Sequence, residues 1–379
     1  MRTALTNGRV MTDRGALAER AVVIEDGRIA GVVRPNDMPA DAASHDLGGR
    51  LLLAGFIDVQ VNGGGGVLFG DAPNVETLRI IAQAHAQFGT TGFLPTLISG
   101  DLALIRSAIA AVDAAMREGV PGVLGIHIEG PFLNPERKGI HDAANFRALD
   151  REAFDLLTSF KRGKTLVTLA PEQTTPDMIA ALTKAGVIVS AGHTDAAYGQ
   201  IRAALDHGLT GFTHLFNAMS PLRARQPGTV GAALDDKASW CGIIADGRHV
   251  DPAALRIALA CKGLDKLMLV TDAMPSVGAA AKTFTLQGRT ITVKDGVCIA
   301  PDGTLAGCDL DMAGAVRNAM TLMDVDLAGA VGMAGRNPAA FLGLGKEMGT
   351  IATGQRANFA VMDDALSVLE TWIDGARVC

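Results

Sequence analysis

The sequence predicts an α/β protein whose main domain is a (β/α)8, TIM-like barrel. Eight short apolar runs alternate with helical runs through the middle of the chain, which is typical of such a barrel. Both ends of the chain instead carry short β-rich runs broken by Asn-Gly and Asp-Gly, which are hairpin signals. No G-x-G-x-x-G turn follows an early strand, as an open doubly wound sheet would favour. The Gly-rich run NGGGG has neither that spacing nor a phosphate-loop lysine.

The two ends of the chain are predicted to form one small β domain together, because chain termini often lie close to each other. We assign residues 1–50 and 345–379 to this domain and residues 51–344 to the barrel. A β-hairpin insertion is expected in the barrel near residues 283–305, after the eighth strand.

Each barrel strand is an apolar run of strand length. In chain order the predicted strands are LLLAGFIDVQV, TGFLPTLIS, GVLGIHIEG, TLVTLAPE, VIVSAGHTD, GFTHLFNA, CGIIADGRH and KLMLVTDAM. The intervening helices show apolar residues at a helical period, as in DLALIRSAIAAVDAAMREG. There Asp101 is placed to cap the start and Gly119 to end the helix.

Composition excludes several classes of function. A net charge of -6 and a pI near 5.8 argue against a nucleic-acid-binding protein, which needs a basic face. No apolar run reaches the 18 or so residues of a membrane span, and the start of the chain lacks the apolar core of a signal peptide. The 5 cysteines are widely spaced without a C-x-x-C pair, so we expect buried thiols in a reducing cytoplasm.

Four polar residues follow four of the predicted strands. Glu129 ends the third strand, His193 the fifth, His214 the sixth and Asp272 the eighth. The carboxyl ends of barrel strands surround one mouth, where such enzymes hold their chemistry. Two imidazoles and a carboxylate suit a zinc-like ion with one position open to water. His127 shares the face of Glu129 and is either a further ligand or, as we prefer, a packed partner beneath the site.

Several motifs resemble the N-acetylglucosamine-6-phosphate deacetylases of the amidohydrolase superfamily. These are HIEGPFLNPERKGIHD, SAGHTDA, THLFNAMSPLRARQPG, IADGRHV and VTDAMPSVG. The resemblance covers nearly the whole chain and implies a metal-dependent barrel with a small β-sandwich formed by the terminal segments. It also implies hydrolysis of N-acetylglucosamine 6-phosphate to glucosamine 6-phosphate and acetate. That reaction serves amino-sugar catabolism and cell-wall sugar recycling. The family further suggests a homodimer.

The same resemblance assigns roles to individual residues. Glu129, His193 and His214 would bind the metal, Asp272 would be the acid and base, and His141 would act on the substrate with the metal. The residues matching the family's substrate contacts are Ile140, His141, Asn217, Ala218, Arg225, His249, Leu305 and Gly307. Arg225 and His249 would contact the phosphate, and one of them is a candidate to reach in from a partner subunit.

One departure concerns the metal count. Many amidohydrolases carry H-x-H after the first strand, whereas this chain has Asp58 and Gln60 there. Because an amide is a poor ligand for a transition metal, we expect one divalent ion per subunit. Zinc is favoured, with iron, cobalt or manganese as alternatives. A second, weak site near Asp58 and Gln60 remains open.

Two other functions remain open from the sequence. A different amidohydrolase, acting on another N-acyl amine or a cyclic amide, would share the metal and Asp272 but would not use Arg225 and His249 as phosphate anchors. A non-catalytic scaffold of the same fold would be expected to have lost metal ligands, yet all three proposed ligands are present. The sequence leaves the choice between glucosamine and galactosamine open.

Overall fold

The computed structural model of the protein describes residues 2–12 and 15–379. Within these residues the strands, numbered β1 to β22 in chain order, are Arg2–Thr12, Gly15–Glu25, Arg28–Val33, Ala43–Asp46, Leu51–Ala54, Phe56–Val61, Gly63–Gly64, Val67–Leu68, Thr90–Ile98, Gly125–Glu129, Lys164–Leu169, Ile188–Ala191, Gly211–Phe212, Trp240–Ile243, Leu267–Leu269, Thr283–Leu286, Arg289–Lys294, Val297–Ile299, Leu305–Cys308, Phe359–Met362, Val368–Ile373 and Ala376–Arg377. The α-helices, α1 to α10, are Val75–Ala86, Leu102–Arg117, Arg151–Leu157, Pro176–Lys184, Tyr198–Asp206, Gly228–Asp235, Pro252–Lys262, Met312–Met323, Leu327–Ala334 and Arg336–Phe341.

Eight parallel strands form the barrel in the order β6, β9, β10, β11, β12, β13, β14 and β15. A parallel bridge between Val61 and Ala273 joins the first strand to the segment after the last. Every residue of β6 and β10 is buried, as expected for parallel strands covered by helices. The predicted (β/α)8 barrel is confirmed.

Helix α2 shows how the local sequence defines a covering helix. The Asp101 side chain accepts a hydrogen bond from the Leu104 backbone N–H, which caps the first turn. The buried face includes Ile105 and Val112, and the chain leaves the helix through Gly119, whose φ is 72°. The predicted cap, apolar face and end are all found.

Strands from both ends of the chain share a second sheet, in the order β22, β21, β20, β5, β1, β2 and β3, with β4 paired to β1. Side chains from both ends of the chain pack into one apolar cluster that includes Leu5, Val22, Phe359 and Trp372. The run predicted as the first barrel strand is divided at Gly55, because β5 pairs with β20 in this sheet and only β6 enters the barrel.

The segment after the barrel forms a four-stranded antiparallel sheet of β16, β17, β18 and β19, where the sequence predicted a hairpin. Its apolar side packs on Leu68 and Met274. The backbone of β19 runs beside the end of the eighth barrel strand, since the Cys308 N–H donates to the Asp272 carbonyl at 3.0 Å. This sheet therefore forms one wall of the barrel mouth. Among the described residues, no helix is both long and apolar enough to cross a membrane.

Candidate active site

Three side chains with the chemistry of metal ligands converge at the carboxyl-terminal mouth of the barrel. Glu129 is the last residue of β10, and His193 and His214 follow the ends of β12 and β13. Nε2 of His193 lies 3.2 Å from Oε1 of Glu129, and Nε2 of His214 lies 3.0 Å from the same oxygen. The two nitrogens are 3.0 Å apart. All three side chains are buried.

The separations of these three atoms suit the ligands of one divalent ion. Zinc bonds of about 2.0–2.2 Å to nitrogen and oxygen place tetrahedral ligands about 3.3–3.6 Å apart, so the three side chains would separate slightly around an ion. Two neutral imidazole nitrogens that face each other at 3.0 Å need a proton or a cation between them. The residues present therefore fit a single divalent ion.

The orientation of His193 also suits a metal ligand. Its Nδ1 lies 2.9 Å from the carbonyl oxygen of Arg137, and a ring that donates from Nδ1 keeps its Nε2 lone pair for an ion. His214 differs, because its buried Nδ1 has no hydrogen-bond partner among the residues that the structure describes.

The backbone at three of the four strand ends is strained. His193, His214 and Asp272 have φ values of 49°, 35° and 51°, a region that residues other than glycine seldom adopt. Such conformations persist where the surrounding structure holds them and cluster at functional sites. Here the left-handed turn directs each side chain into the mouth of the barrel.

Asp272 faces the ligands across an amide network. Its Oδ1 accepts from Asn62 Nδ2 at 2.6 Å and from Gln60 Nε2 at 3.2 Å, and the same Gln60 amide donates to Glu129 at 3.2 Å. Burial and then repulsion from Glu129 raise the pKa of Asp272 to about 6. Asp272 therefore has a pKa in the range that suits a group exchanging protons near neutral pH.

The negative charge of Glu129 is retained in spite of burial. Burial alone would raise the pKa of this carboxyl, but hydrogen bonds from His193 and His214 hold the pKa well below its usual range. An ionised carboxylate between two imidazoles is the state that a cation requires.

Asp58 does not face the ligand cluster. Its Oδ2 accepts from Thr271 Oγ1 at 2.5 Å, and its Oδ1 accepts from the Gln60 N–H at 3.1 Å. Burial raises the pKa of Asp58 to about 7. Within the described residues, Asp58 belongs to neither group of acidic, histidine and cysteine side chains with metal-ligand spacing. The Asp58 and Gln60 side chains therefore bind their neighbours and give a second metal little support.

His141 enters the site from the loop after β10. Its ring centroid lies 4.4 Å from that of His193. Ser99, at the end of β9, contacts Nδ1 of His141 through both its hydroxyl and its backbone N–H. A Cβ at Gly130 would meet Ser99 Oγ at 2.3 Å, so only glycine lets β10 end this close to Ser99.

His127 lies below the ligands, inside the barrel. Its Nδ1 is 3.1 Å from Thr96 Oγ1, and its Nε2 is 2.8 Å from Thr168 Oγ1. Both ring nitrogens are thus occupied by hydroxyl groups of neighbouring strands. Burial lowers the pKa of His127 to about 4, so the ring is neutral. His127 is therefore a packed partner, the interpretation that we preferred from the sequence.

One cavity of about 300 Å³ joins Glu129, His193 and His214 to Asp272 and His141. Most of the residues that the sequence singled out for the substrate also line it, namely Ile140, Asn217, Ala218, His249, Leu305 and Gly307. Arg225 is the exception. It lies in an exposed loop and lines a neighbouring cavity with Tyr198 and Arg223.

Four residues that the sequence did not single out as contacts also shape the site. They are Asn62, Ser99, Arg137 and Asp246. Asn62 follows Asp58 and Gln60 at a spacing of two, which puts all three on one face of a strand. This alternation in the sequence could have identified Asn62 as a site residue. The contacts of Ser99 and Arg137 join residues that are distant in the sequence, so no local pattern predicts them.

Comparison with known proteins gives a consistent result. The Amidohydrolase family matches residues 51–378, and the NagA composite domain matches residues 3–52. The chain is 42% identical to an N-acetylgalactosamine-6-phosphate deacetylase of Shewanella sp. (strain ANA-3), over 98% of this chain and 95% of that protein. It is 37% identical to an N-acetylglucosamine-6-phosphate deacetylase of Haemophilus influenzae, over 99% of both.

Solved structures agree with the sequence matches. The N-acetylglucosamine-6-phosphate deacetylase of Pasteurella multocida superposes with a TM-score of 0.96 at 35% identity, covering 100% of this chain and 99% of that one. An N-acetyl-D-glucosamine-6-phosphate deacetylase of Mycobacterium smegmatis, solved in complex with N-acetyl-D-glucosamine-6-phosphate, superposes with a TM-score of 0.90 at 32% identity, with 100% and 99% coverage.

Proposed function

The chain belongs to the amidohydrolase family, among the deacetylases of N-acetylated amino sugar 6-phosphates, and on that premise we propose that it hydrolyses N-acetylglucosamine 6-phosphate to glucosamine 6-phosphate and acetate. The observation that carries the proposal is one cavity that holds three metal-ligand side chains, a buried aspartate and a histidine. That set suits metal-assisted hydrolysis of an amide. The product sugar phosphate would enter amino-sugar catabolism and cell-wall sugar recycling.

Glu129, His193 and His214 would hold one divalent ion, with zinc as the favoured metal and iron, cobalt or manganese as alternatives. When bound, such an ion lowers the pKa of a water molecule toward about 7 and polarises a carbonyl oxygen. The short separations among the three ligand atoms and the ionised state of Glu129 support this assignment.

Asp272 would move the protons of the reaction. Its carboxylate takes a proton from the attacking water and then gives it to the departing amine nitrogen, which would otherwise be too basic to leave. The amide groups of Asn62 and Gln60 hold one carboxylate oxygen, so the other oxygen is the one available to the proton. A raised pKa of about 6 supports both directions of transfer.

His141 would stabilise the tetrahedral intermediate. The Ser99 backbone N–H occupies its Nδ1, which leaves Nε2 to carry the proton in the neutral ring. An N–H donor held at the developing oxyanion is worth about 10²–10³ in kcat in other hydrolases. His141 lines the cavity beside His193, as this role requires.

The phosphate would be bound by His249 and by Arg225, with Arg225 supplied by the partner subunit of a homodimer. His249 lines the cavity, whereas Arg225 lies outside it in the exposed loop 221–226. An arginine suits a phosphate because its guanidinium binds two oxygens at once.

All five cysteines are free thiols, which suits a reducing compartment, so we place the reaction in the cytoplasm. The test is acetate release by the purified protein with its bound metal. We expect rapid release from N-acetylglucosamine 6-phosphate and slow release from unphosphorylated N-acetylglucosamine. N-acetylgalactosamine 6-phosphate is assayed alongside, because the Shewanella relative carries the name of that activity. No release from either phosphorylated sugar would contradict the proposal.

A further inference from the structure

A second cluster of ligand side chains lies beside the cavity, apart from Glu129, His193 and His214. Asp246 and His249 follow β14, and Cys308 is the last residue of β19. Oδ2 of Asp246 is 2.6 Å from Nδ1 of His249, and Cys308 Sγ is 3.6 Å from that oxygen and 3.4 Å from that nitrogen. These three atoms share one small space.

The distances suit a thiophilic metal ion. Zinc bonds of about 2.3 Å to sulfur and about 2.0–2.2 Å to nitrogen and oxygen put tetrahedral ligands about 3.4–3.6 Å apart. Both separations from the Cys308 sulfur already lie within about 0.2 Å of those values. The Asp246–His249 pair must open by about 0.8 Å, which a rotation of the two side chains supplies once an ion replaces their shared proton.

The cluster is held in place by the backbone. Oδ1 of Asp246 accepts from the N–H groups of Arg248 and His249, both at 2.8 Å, so only Oδ2 faces the cluster. The Cys308 N–H and carbonyl are fixed by Asp272 and Met274, each at 3.0 Å. The side chains of Asp246 and His249 are only 7% and 5% exposed, and Cys308 is fully buried. A largely buried set of three different donors, anchored through the backbone at Asp246 and Cys308, is a better ligand group than an exposed acidic cluster.

We propose that Asp246, His249 and Cys308 form a second metal site that takes a thiophilic divalent cation such as zinc and thereby inhibits the enzyme. Sulfur and imidazole donors favour zinc, cadmium or cobalt over magnesium or calcium. Binding releases the thiol proton, and the proton between Asp246 and His249 leaves Nδ1 for Nε2 of the neutral ring. Because the thiol must ionise in a buried site, this ion is held more weakly than the one at Glu129.

Inhibition follows from the position of His249. Its ring lines the cavity in which the substrate is proposed to bind, and the bond to Asp246 sets the orientation of that ring. An ion on Nδ1 breaks this bond and turns the ring. Zinc beyond the first equivalent should therefore raise KM for the sugar phosphate.

The cobalt spectrum provides a direct test, because the ligand set at Glu129 contains no sulfur. Protein that holds one equivalent of zinc is titrated with Co²⁺, and the thiolate-to-cobalt charge-transfer band in the near ultraviolet is recorded. We expect the band in the wild type, its loss in Cys308→Ser, and its retention in Cys298→Ser, whose thiol is equally buried but outside the cluster. Cys379→Ser is the background for all three, since Cys379 is an exposed thiol.

The activity assay is a second, independent readout. Cys308→Ser should keep the wild-type rate in one equivalent of zinc and should need at least tenfold more added zinc for inhibition. Cys308→Ala serves if the serine variant melts early. The site is ruled out if the wild type shows no thiolate band or if Cys308→Ser shows one of equal strength. The cobalt spectrum does not depend on turnover. It therefore tests the second metal site even if the protein does not release acetate from the proposed substrate.

Discussion

Ser99 holds His141 by two contacts to one nitrogen: its Oγ lies 2.8 Å from Nδ1, and its backbone N–H donates to the same atom at 3.3 Å. Burial, followed by electrostatic interaction with His193, lowers the pKa of His141 to about 3, so the ring is neutral. A neutral ring that accepts at Nδ1 must carry its proton on Nε2. The serine therefore sets His141 as a hydrogen-bond donor toward the cavity.

Removal of the serine hydroxyl should slow the chemical step. We expect Ser99→Ala to lower kcat about 2- to 13-fold, the value of one hydrogen bond of roughly 0.5–1.5 kcal/mol. KM, metal content and melting temperature should stay near those of the wild type, since the interaction is used in the transition state. Ser107→Ala, on the exposed face of α2, is the control. Equal losses in kcat and stability would make Ser99 a structural residue only.

Arg225 should determine the preference for phosphorylated substrates. We expect Arg225→Ala to lower kcat/KM for N-acetylglucosamine 6-phosphate roughly 10- to 150-fold, as charge-assisted hydrogen bonds of about 1.5–3 kcal/mol predict. The slow reaction of the unphosphorylated sugar should hardly change. Arg223→Ala, in the same exposed loop, is the matched control. If both substrates lose equally, Arg225 supports the loop and does not bind phosphate.

The origin of Arg225 can be tested by mixing subunits. Arg225→Ala is expected to keep at most about a tenth of the wild-type kcat/KM on the phosphorylated sugar, and Asp272→Asn at most about a hundredth of the wild-type kcat. A mixed dimer pairs an intact Asp272 in one subunit with an intact Arg225 in the other, so activity should reappear after the two variants are unfolded and refolded together. No recovery in dimers shown to be mixed would mean that Arg225 acts within its own chain.

His85 should make folding stability depend on pH. Burial lowers the pKa of His85 from 6.5 to about 4, and Nε2 contacts the Gly63 carbonyl at 2.9 Å. The unfolded chain binds the proton more readily, so stability is full above pH 6.5 and falls as the pH drops toward 4. Between pH 7 and pH 5 the loss from this group is roughly 2 kcal/mol. In denaturant unfolding, the free energy of unfolding of His85→Gln should fall less between pH 7 and pH 5 than that of the wild type. An equal fall in both proteins would show that His85 does not cause this pH dependence.

Asp272→Asn separates a proton carrier from a structural aspartate. The asparagine nearly keeps the shape and hydrogen-bonding capacity of the side chain but cannot carry the proton. We expect kcat to fall by at least the roughly 10²–10⁴ typical of general acid–base groups. Metal content and folding should stay close to wild type, because Asp272 is not among the three ligands. A variant that binds metal and keeps most of its kcat would show that another group moves the proton.

The sequence predicted which side chains gather at the mouth of the barrel, because these residues follow local patterns. Glu129, His193, His214 and Asp272 each come after a buried apolar run, and the barrel brings the ends of such runs to one side. The Asp246–His249 contact could also have been predicted from the sequence, since the two residues are three positions apart in ADGRH. Local spacing thus accounts for most of the site.

Contacts between distant parts of the chain account for what the sequence left out. The break between β5 and β6 falls at Gly55, where a Cβ would meet Thr91 Oγ1 at 2.3 Å. The approach of Ser99 to His141 likewise joins two loops 42 residues apart. Arg225 lines a cavity separate from that of His249, so its proposed contact with the phosphate depends on a second subunit.

A metal titration of the activity tests the central claim most directly. Protein stripped of metal is supplied with zinc in steps, and acetate release from N-acetylglucosamine 6-phosphate is measured against bound zinc per chain. We predict no activity without metal and a linear rise that ends at one equivalent, with Glu129→Gln binding far less tightly and staying inactive. Full activity in metal-free protein, or a rise that ends only at two equivalents, would contradict a single ion held by Glu129, His193 and His214.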